Sequence, residues 1–282
     1  TRRLTADAVG QHIRPSLVSA ITKYHNSEFC RHVINDAMDI HAGKALQLGP
    51  NNYLGLAYQA VPISITVEGA NILTRNLIIF GQGALRCHPY IRAEMDLANA
   101  QTSEEIDAFD KLILAHCGYT LKNFSRTFLY GLTAGKISHA PSISVAKKYI
   151  KQFNRMSSAL AFVSDMTMVL MGGELKRKER ISARLGDVLS HLYIASAVIK
   201  YYHDNQCQSE EDCYVEWSLQ YCLYQIQTAF DELFANFPKR GMGILLSSIL
   251  FPWGRSYHAP SDKLSQKVAR SMLQPAETDR KS

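Results

Sequence analysis

The sequence predicts an all-α protein. No stretch alternates apolar and polar residues between hairpin turns, as half-buried strands would. Apolar residues instead recur at spacings near 3.6, and about eight helices can be placed along the chain. The 282 residues are 46% hydrophobic, which is enough for a substantial core or for two packed helical units.

The first predicted helix is long and core-facing, and it runs from Pro15 to Gly43. Its apolar positions recur near one face: Leu17, Ile21, Tyr24, Phe29, Val33, Ala37 and Ile40. Residues 44–69 contain several glycines and prolines. We therefore expect a loop there, with at most one helical turn.

A second helix is predicted from Ala70 to Arg86, and Pro89 limits it. Gly81 and Gly83 weaken its later half, each by roughly 1 kcal/mol relative to alanine. A close packing contact would explain why both are kept.

The second half of the chain contains further helical patterns. Thr102 and Glu105 have the spacing of a capping box. The methionine-rich segment after Pro141 is interpreted as a core helix. Gly172 and Gly173 either end that helix or kink it. The predicted helices cover about 90–100, 102–134, 141–170, 174–202, 214–237 and 260–273, followed by a frayed tail after Pro275.

Five lysines and arginines lie between residues 176 and 184. Nucleic-acid binding would favour aromatic residues among these charges or a known reading motif, and neither is present. We expect a solvated helix face there and no nucleic-acid partner.

The segment from Lys239 to Arg255 contains about a dozen apolar residues, fewer than the roughly 20 that a membrane-spanning helix needs. It could dock inside the protein or lie on a membrane surface with Trp253 at the boundary, and we expect internal docking. The six cysteines show no metal or disulfide spacing, so we expect reduced thiols and no metal site. The net charge of +6 permits an acidic partner without requiring one.

Glu68 is a lone acid after the apolar-rich segment from Val61 to Val67. Burial would raise the pKa of this carboxyl group toward the range useful for a general base. Alternatively, its charge complements the dipole of the helix that begins near Ala70. Spacing alone favours this second, structural role.

The order of residues from Glu68 to Arg75 resembles the active-site segment of acyl-CoA dehydrogenases, which usually reads E-G-T-x-x-I-x-R. Glu68, Gly69 and Arg75 match strictly, and Leu73 is a conservative replacement. Ala70 lacks the hydroxyl group of the family's threonine.

A second block, ending at Ala45, is similar to the family pattern A-x-Q-I-x-G-G-x-G at the end of a long helix. Ile40 and Gly43 match, Asp39 replaces the glutamine, and Ala42 and Ala45 replace two of the three glycines. In the family this turn approaches a flavin dinucleotide bound largely by a neighbouring subunit. Glycine permits such close backbone approach.

The resemblance covers essentially the whole chain and is to the large bacterial acyl-CoA dehydrogenases of fatty-acid β-oxidation. It implies a flavin-dependent oxidoreductase that converts saturated acyl-CoA to trans-2-enoyl-CoA. Its cofactor would be FAD, its electron acceptor an electron-transferring flavoprotein, and its assembly a homo-oligomer. It implies Glu68 as the catalytic base, and binding roles for Gly69, Ala70, Arg75, Asp39, Ile40 and Gly43.

The resemblance also implies a domain organisation and a location. Residues 1–95 would form the second half of the family's C-terminal helical bundle, and residues 96–282 a helical extension of the long bacterial form. We expect a fragment of a longer protein, inactive alone, in the bacterial cytoplasm or peripheral on the inner membrane. The alternative is a non-catalytic helical module for assembly or membrane docking.

Overall fold

The computed structural model describes residues 1–99 and 101–273, and within these ranges the chain is helical and contains no strand. This confirms the all-α prediction. The chain divides into two compact units, the first ending at Cys87 and the second beginning at His88. The predicted tail after Pro275 lies outside the described residues.

Unit 1 is built around one long helix, α2, which packs against α4 and against a π-helical segment. Ile21 of α2, Ile79 of the π segment and Phe80 of the last helix are buried. The helices of unit 1 are α1 (Arg2–Gly10), α2 (Ser16–His41), α3 (Gly43–Leu46), α4 (Gly55–Thr66), α5 (Asn71–Leu73), the π segment (Thr74–Ile79) and α6 (Phe80–Cys87).

The prediction of a loop over residues 44–69 is wrong, because α4 occupies twelve of these residues. Asn52 organises its start: the side-chain oxygen of Asn52 accepts hydrogen bonds from the backbone N–H groups of Leu54 and Gly55. Gly55 is thereby the first helical residue, and Pro62 lies inside the helix. Helix α1 was also missed.

The apolar stripe predicted for α2 is core-facing only in its first half. Ile21 is 1% exposed, whereas Val33 and Ile40 are 65% and 81% exposed. The apolar side chains in the second half of α2 are therefore exposed and not packed within unit 1. Gly81 likewise has open space where a Cβ would be, so the predicted packing contact is absent at that glycine.

Unit 2 is formed by long helices, of which α10 packs most extensively against α11, and α8 against α9. Its α-helices are α7 (Ile91–Leu97), α8 (Ser103–Leu132), α9 (Lys147–Met171), α10 (Glu179–Asp204), α11 (Asp212–Ala235), α12 (Arg240–Leu250) and α13 (Asp262–Leu273). Short 3-10 turns precede α9, α10 and α11. The boundary predicted near residue 95 falls within α7.

The capping box that opens α8 is present. The Thr102 hydroxyl oxygen accepts from the N–H of Glu105 at 3.3 Å, and the Glu105 carboxylate accepts from the N–H of Thr102 at 3.1 Å. The basic run that leads into α10 is mostly solvated, with Lys176, Arg177 and Arg180 exposed, whereas the side chain of Arg184 is only 13% exposed and pairs with Glu232. All six cysteines are free thiols.

A buried arginine ties the end of α12 to α9. Arg155 is 3% exposed, and its guanidinium donates to the carbonyl of Leu250 at 2.6 Å and to the hydroxyl of Tyr257 at 3.2 Å. Gln227 of α11 donates to the backbone carbonyl of Tyr257 at 2.8 Å. The segment from 250 to 257 is thus bonded to both α9 and α11.

One helical stretch, Ser144–Lys176, is long and apolar enough to cross a membrane by length and composition alone. In the structure its main helix, α9, packs against α8, α10 and α11. Met156 and Val163 are fully buried there, as expected for a core helix.

The segment from Lys239 to Arg255 docks inside unit 2 through one side of α12. Leu246 and Leu250 are buried, and a Cβ on Gly243 would collide with the backbone carbonyl of Phe234 in α11. Ile244 on the other side is 61% exposed. Internal docking therefore accounts for only one face of the segment.

The crossing of α12 over α11 gives a stability test with an internal control. Gly243→Ala should destabilise unit 2 by about 1–3 kcal/mol, because the added methyl group overpacks the crossing. Gly241→Ala, two residues away and facing open space, should instead stabilise by up to about 1 kcal/mol through helix propensity. Urea unfolding of both variants measures this, and equal effects would contradict the packing described.

Candidate active site

The turn between α4 and α5 carries the candidate base. Glu68 and Gly69 both have positive φ, 55° and 94°, so two successive residues in left-handed backbone reverse the chain. Glu68 is exposed, and α5 begins only at Asn71. The carboxylate is therefore neither buried, as the first interpretation required, nor in the first turn of the helix, as the second required.

Lys23 of α2 holds this turn. Its ammonium group donates to the carbonyl of Gly69 at 2.6 Å and to the side-chain oxygen of Asn71 at 2.6 Å. It also lies 3.4 Å from the carbonyl of Ile65, near the end of α4. Hydrogen bonds from a charged donor are about twice as strong as neutral ones. One side chain thus joins both sides of the Glu68 turn to α2.

Asn71 extends this anchor into the interior. It is 3% exposed, and its amide donates to the hydroxyl oxygen of Ser27 at 2.8 Å and to the carboxylate of Glu28 at 2.7 Å. A buried amide that lost these partners would destabilise the unit by about 1–3 kcal/mol. The first residue of α5 is therefore fixed to α2 from two directions.

Ala70 is the N-cap residue of α5, and no side-chain capping hydrogen bond is present. Its backbone, with φ −52° and ψ 137°, is extended as an N-cap requires. The position therefore has N-cap geometry without the oxygen that would complete it. Threonine, which the family pattern places here, would supply that oxygen.

Arg75 lies on the π segment, half-buried. Its charge acts on His25 of α2: burial, and then the nearby Arg75 guanidinium, lower the pKa of His25 to about 4. Arg75 thus contributes to the electrostatics inside unit 1. Single-turn π segments recur at functional sites, where they re-aim side chains.

The predicted flavin-contacting residues Asp39, Ile40 and Gly43 lie at the far end of α2, and all are exposed. Residues 23 and 39 are 16 positions apart, which is about 24 Å along the helix at 1.5 Å per residue. The structure therefore does not bring these residues together with Glu68 within one chain.

Ala42 adopts a backbone conformation that favours glycine. Its φ and ψ are 46° and −132°, close to the 49° and −129° of Gly172 at the corresponding end of α9. A non-glycine residue in such a region costs of order 1–3 kcal/mol. Ala42 therefore has a backbone that glycine would adopt with less strain.

A polar cluster that the sequence did not reveal lies in unit 2, between α7, α8 and α9. It consists of His88, Glu94, His116 and Asp165. Asp165 was overlooked because the methionines around it marked α9 as a core helix. The signal was a single acid within an apolar helix, since such a residue needs partners when it is buried.

Replacing Ala70 tests the N-cap. Ala70→Thr should raise the unfolding free energy of unit 1 by about 1 kcal/mol, because the hydroxyl oxygen can accept from the N–H of Ile72 or Leu73. Ala70→Val has nearly the same shape without the oxygen and is the matched control. Denaturant unfolding of the two variants gives the difference, and equal stability would show that the position does not act as a cap.

The buried His25 predicts an acid-sensitive unit 1. Between pH 6.5 and about 4 the unfolded chain binds a proton at His25 and the folded chain does not, so stability falls as pH falls, by about 3 kcal/mol in total. His25→Gln should remove this slope, whereas His32→Gln, on an exposed residue of the same helix, should keep it. Denaturant unfolding of these proteins between pH 4 and 7 measures the slopes.

One family of known proteins matches most of the chain, and one solved structure shares its fold. Residues 85–281 match the family described as "Acyl-CoA dehydrogenase, C-terminal, bacterial type". The fold is similar to the crystal structure of an acyl-CoA dehydrogenase complexed with FAD from Bacillus anthracis, with a TM-score of 0.61 and 14% sequence identity. That alignment covers 90% of this chain and 38% of the other.

The family match includes nearly all of unit 2, the part of the chain for which the resemblance supplied no active-site motif. The structural likeness spans both units but, at its low identity, concerns the fold alone. The family match extends over most of the chain. The chain belongs to the bacterial-type acyl-CoA dehydrogenase C-terminal family.

Proposed function

We propose that this chain is the C-terminal part of a flavin-dependent acyl-CoA dehydrogenase that forms trans-2-enoyl-CoA from saturated acyl-CoA, and that Glu68 is its catalytic base. One observation carries the proposal. The Glu68 carboxylate is exposed on a positive-φ turn whose next residue is bonded to Lys23. A base must reach a substrate carbon, and it must be held in place while it does so.

The reaction removes two hydrogens from neighbouring carbons. The Glu68 carboxylate takes the proton from the α-carbon, and a carbon–carbon double bond forms as hydride leaves the β-carbon. Flavin, when bound, supplies the acceptor for that hydride. The protonated Glu68 then returns its proton to solvent, to which the exposed turn gives direct access.

The α-proton becomes acidic enough only when the thioester carbonyl is polarised by hydrogen bonds. Among the described residues, the backbone N–H of Glu68 makes no hydrogen bond. This donor is available to a substrate carbonyl beside the carboxylate. Gly69, next in the chain, leaves the approach free of a side chain.

The far end of α2 fits a flavin contact made across subunits. Asp39, Ile40 and Gly43 are exposed, and a Cβ on Gly43 would meet nothing within 4 Å. Ala42 retains a glycine-type backbone beside them. These residues would approach FAD bound mainly by another subunit, which supports a homo-oligomeric enzyme and explains their separation from Glu68. Gly69, Ala70 and Arg75 are proposed to shape the substrate side of the cofactor site.

The chain spans a minor part of the solved relative, so the complete enzyme would include further domains that hold acyl-CoA and FAD. Electrons would pass to an electron-transferring flavoprotein, in the bacterial cytoplasm. Contact with the inner membrane would use the exposed side of α12, where Leu245 is 52% exposed.

Glu68→Gln in the complete protein tests the assignment. The variant should bind flavin and acyl-CoA normally but lose at least roughly 10²- to 10⁴-fold in the rate of flavin bleaching by acyl-CoA, because an amide cannot take the α-proton. Asp36→Asn, which removes an exposed acid of α2, should leave the rate unchanged. A wild-type rate in Glu68→Gln would show that another residue is the base.

A further inference from the structure

The polar cluster of unit 2 places three potential metal ligands around one point. His88 Nε2 lies 3.0 Å from Asp165 Oδ1, and His116 Nε2 lies 3.5 Å from the same oxygen. Each of the three side chains offers one potential ligand atom that lies within 4.8 Å of those of the other two. The side chains of His88, His116 and Asp165 are only 8%, 18% and 1% exposed.

These three atoms do not satisfy one another. His88 Nε2, His116 Nε2 and Asp165 Oδ1 are all buried and make no hydrogen bond within the described residues, although two of the separations are short enough. Buried polar atoms without partners are rare, and ion binding is one recognised reason for them. The three atoms therefore suit a shared third partner.

The surrounding residues orient two of the ligands. His116 Nδ1 lies 2.6 Å from a carboxylate oxygen of Glu94, which leaves Nε2 with a lone pair directed at the cluster. Thr120 donates its hydroxyl proton to Asp165 Oδ2 at 2.7 Å and so leaves Oδ1 free. A carboxylate on the distal nitrogen of a ligating histidine is a recurrent feature of metal sites.

We propose that His88, His116 and Asp165 bind a divalent transition-metal ion, for which Zn²⁺ has the best fit. At zinc bond lengths of about 2.0–2.1 Å, tetrahedral ligand atoms lie about 3.3 Å apart, between the two separations found here. The ion's charge also neutralises the two carboxylates of the cluster. This site is independent of the dehydrogenase function proposed for unit 1.

A cavity of about 680 Å³ between α7, α8 and α9 adjoins the cluster and would leave room for a fourth ligand. His116 and Asp165 line it together with apolar side chains such as Phe124, Phe162 and Met166. Three protein ligands with an open position are the pattern of zinc sites that bind water or a small ligand. The ion would also clip the start of unit 2, at His88, to α8 and α9.

Coordination requires one change at His88. Its Nδ1 lies 3.3 Å from the backbone N–H groups of both Tyr90 and Ile91, so in the metal-free chain the imidazole proton is on Nε2. A metal on Nε2 moves that proton to Nδ1, which can then no longer accept from Tyr90 and Ile91, so both backbone N–H groups must turn to other acceptors. Metal binding should therefore shift the amide resonances of Tyr90 and Ile91.

The alternative is a metal-free cluster in which a rotation of the His88 ring lets Nε2 donate its proton to Asp165 Oδ1, which lies 3.0 Å away. That arrangement still leaves His116 Nε2 buried without a partner among the described residues. The two explanations differ in a measurable way, because only the metal site takes up zinc and cobalt.

Zinc content decides between them. The chain, freed of any histidine tag and dialysed against a weak chelator, should retain about one zinc ion per molecule by mass spectrometry. His116→Gln and Asp165→Asn should lose the ion. Glu94→Gln should weaken binding by roughly 10- to 100-fold, as second-layer changes do. His139→Gln, on an exposed histidine elsewhere in unit 2, should bind as the wild type does.

Cobalt spectra and thermal unfolding distinguish the loss of the metal site from misfolding of a variant. Co²⁺ in the wild-type chain should give the intense visible bands of tetrahedral coordination, and a strong chelator should remove them and lower the melting temperature. The chelator should leave the melting temperature of folded His116→Gln unchanged. A folded wild-type chain that takes up neither zinc, cobalt nor iron(II) in excess would overturn the proposal in favour of the metal-free cluster.

Discussion

The candidate active site depends on one ammonium group. Lys23 bonds to the carbonyl of Gly69, to the side chain of Asn71 and to the last turns of α4, so it replaces the regular backbone pairing that a reversed, left-handed turn cannot make. Without it the carbonyls at the turn would face water and the turn could adopt many conformations. A strained and exposed position such as Glu68 persists only where its surroundings determine it in this way.

Helix α2 gives unit 1 two functional ends. Lys23, Ser27 and Glu28, near its start, fix the Glu68 turn, whereas Asp39 to Gly43, at its end, face outward. A rigid helix sets the distance between these ends, and buried residues such as Ile21 hold the first of them in place. Apolar residues along the second half of α2, such as Val33 and Ile40, remain exposed in unit 1.

The sequence predicted those features that depend on neighbouring residues. The capping box of Thr102 and Glu105 opened α8 where expected, because both partners lie within one turn. Helix α4 was missed although its start is just as local, since the Asn52 side chain accepts from Gly55 three residues later, because the surrounding glycines and prolines were interpreted as a loop. Glycine and proline suggest a loop only when nothing else satisfies the backbone.

The Glu68 motif and the polar cluster of unit 2 show what local sequence patterns cannot predict. Resemblance picked out Glu68, but its exposure follows from the tertiary position of Lys23, which no local pattern shows. His88, His116 and Asp165 come from a turn and from two different helices, so only packing brings their side chains within reach. The lone acid in α9 was visible in the sequence, whereas its partners were not.

The buried charge of Arg155 makes the segment from Leu250 to Tyr257 necessary to the core of unit 2. Arginine does not lose its proton inside a protein, so its charge must be met by acceptors wherever it lies. Here one of those acceptors is the Leu250 carbonyl, and the ring of Tyr257 lies alongside. A chain that ended before residue 250 would leave the buried Arg155 guanidinium of α9 without the acceptors at Leu250 and Tyr257. The C-terminal segment is therefore part of the core that the long helices need in order to fold.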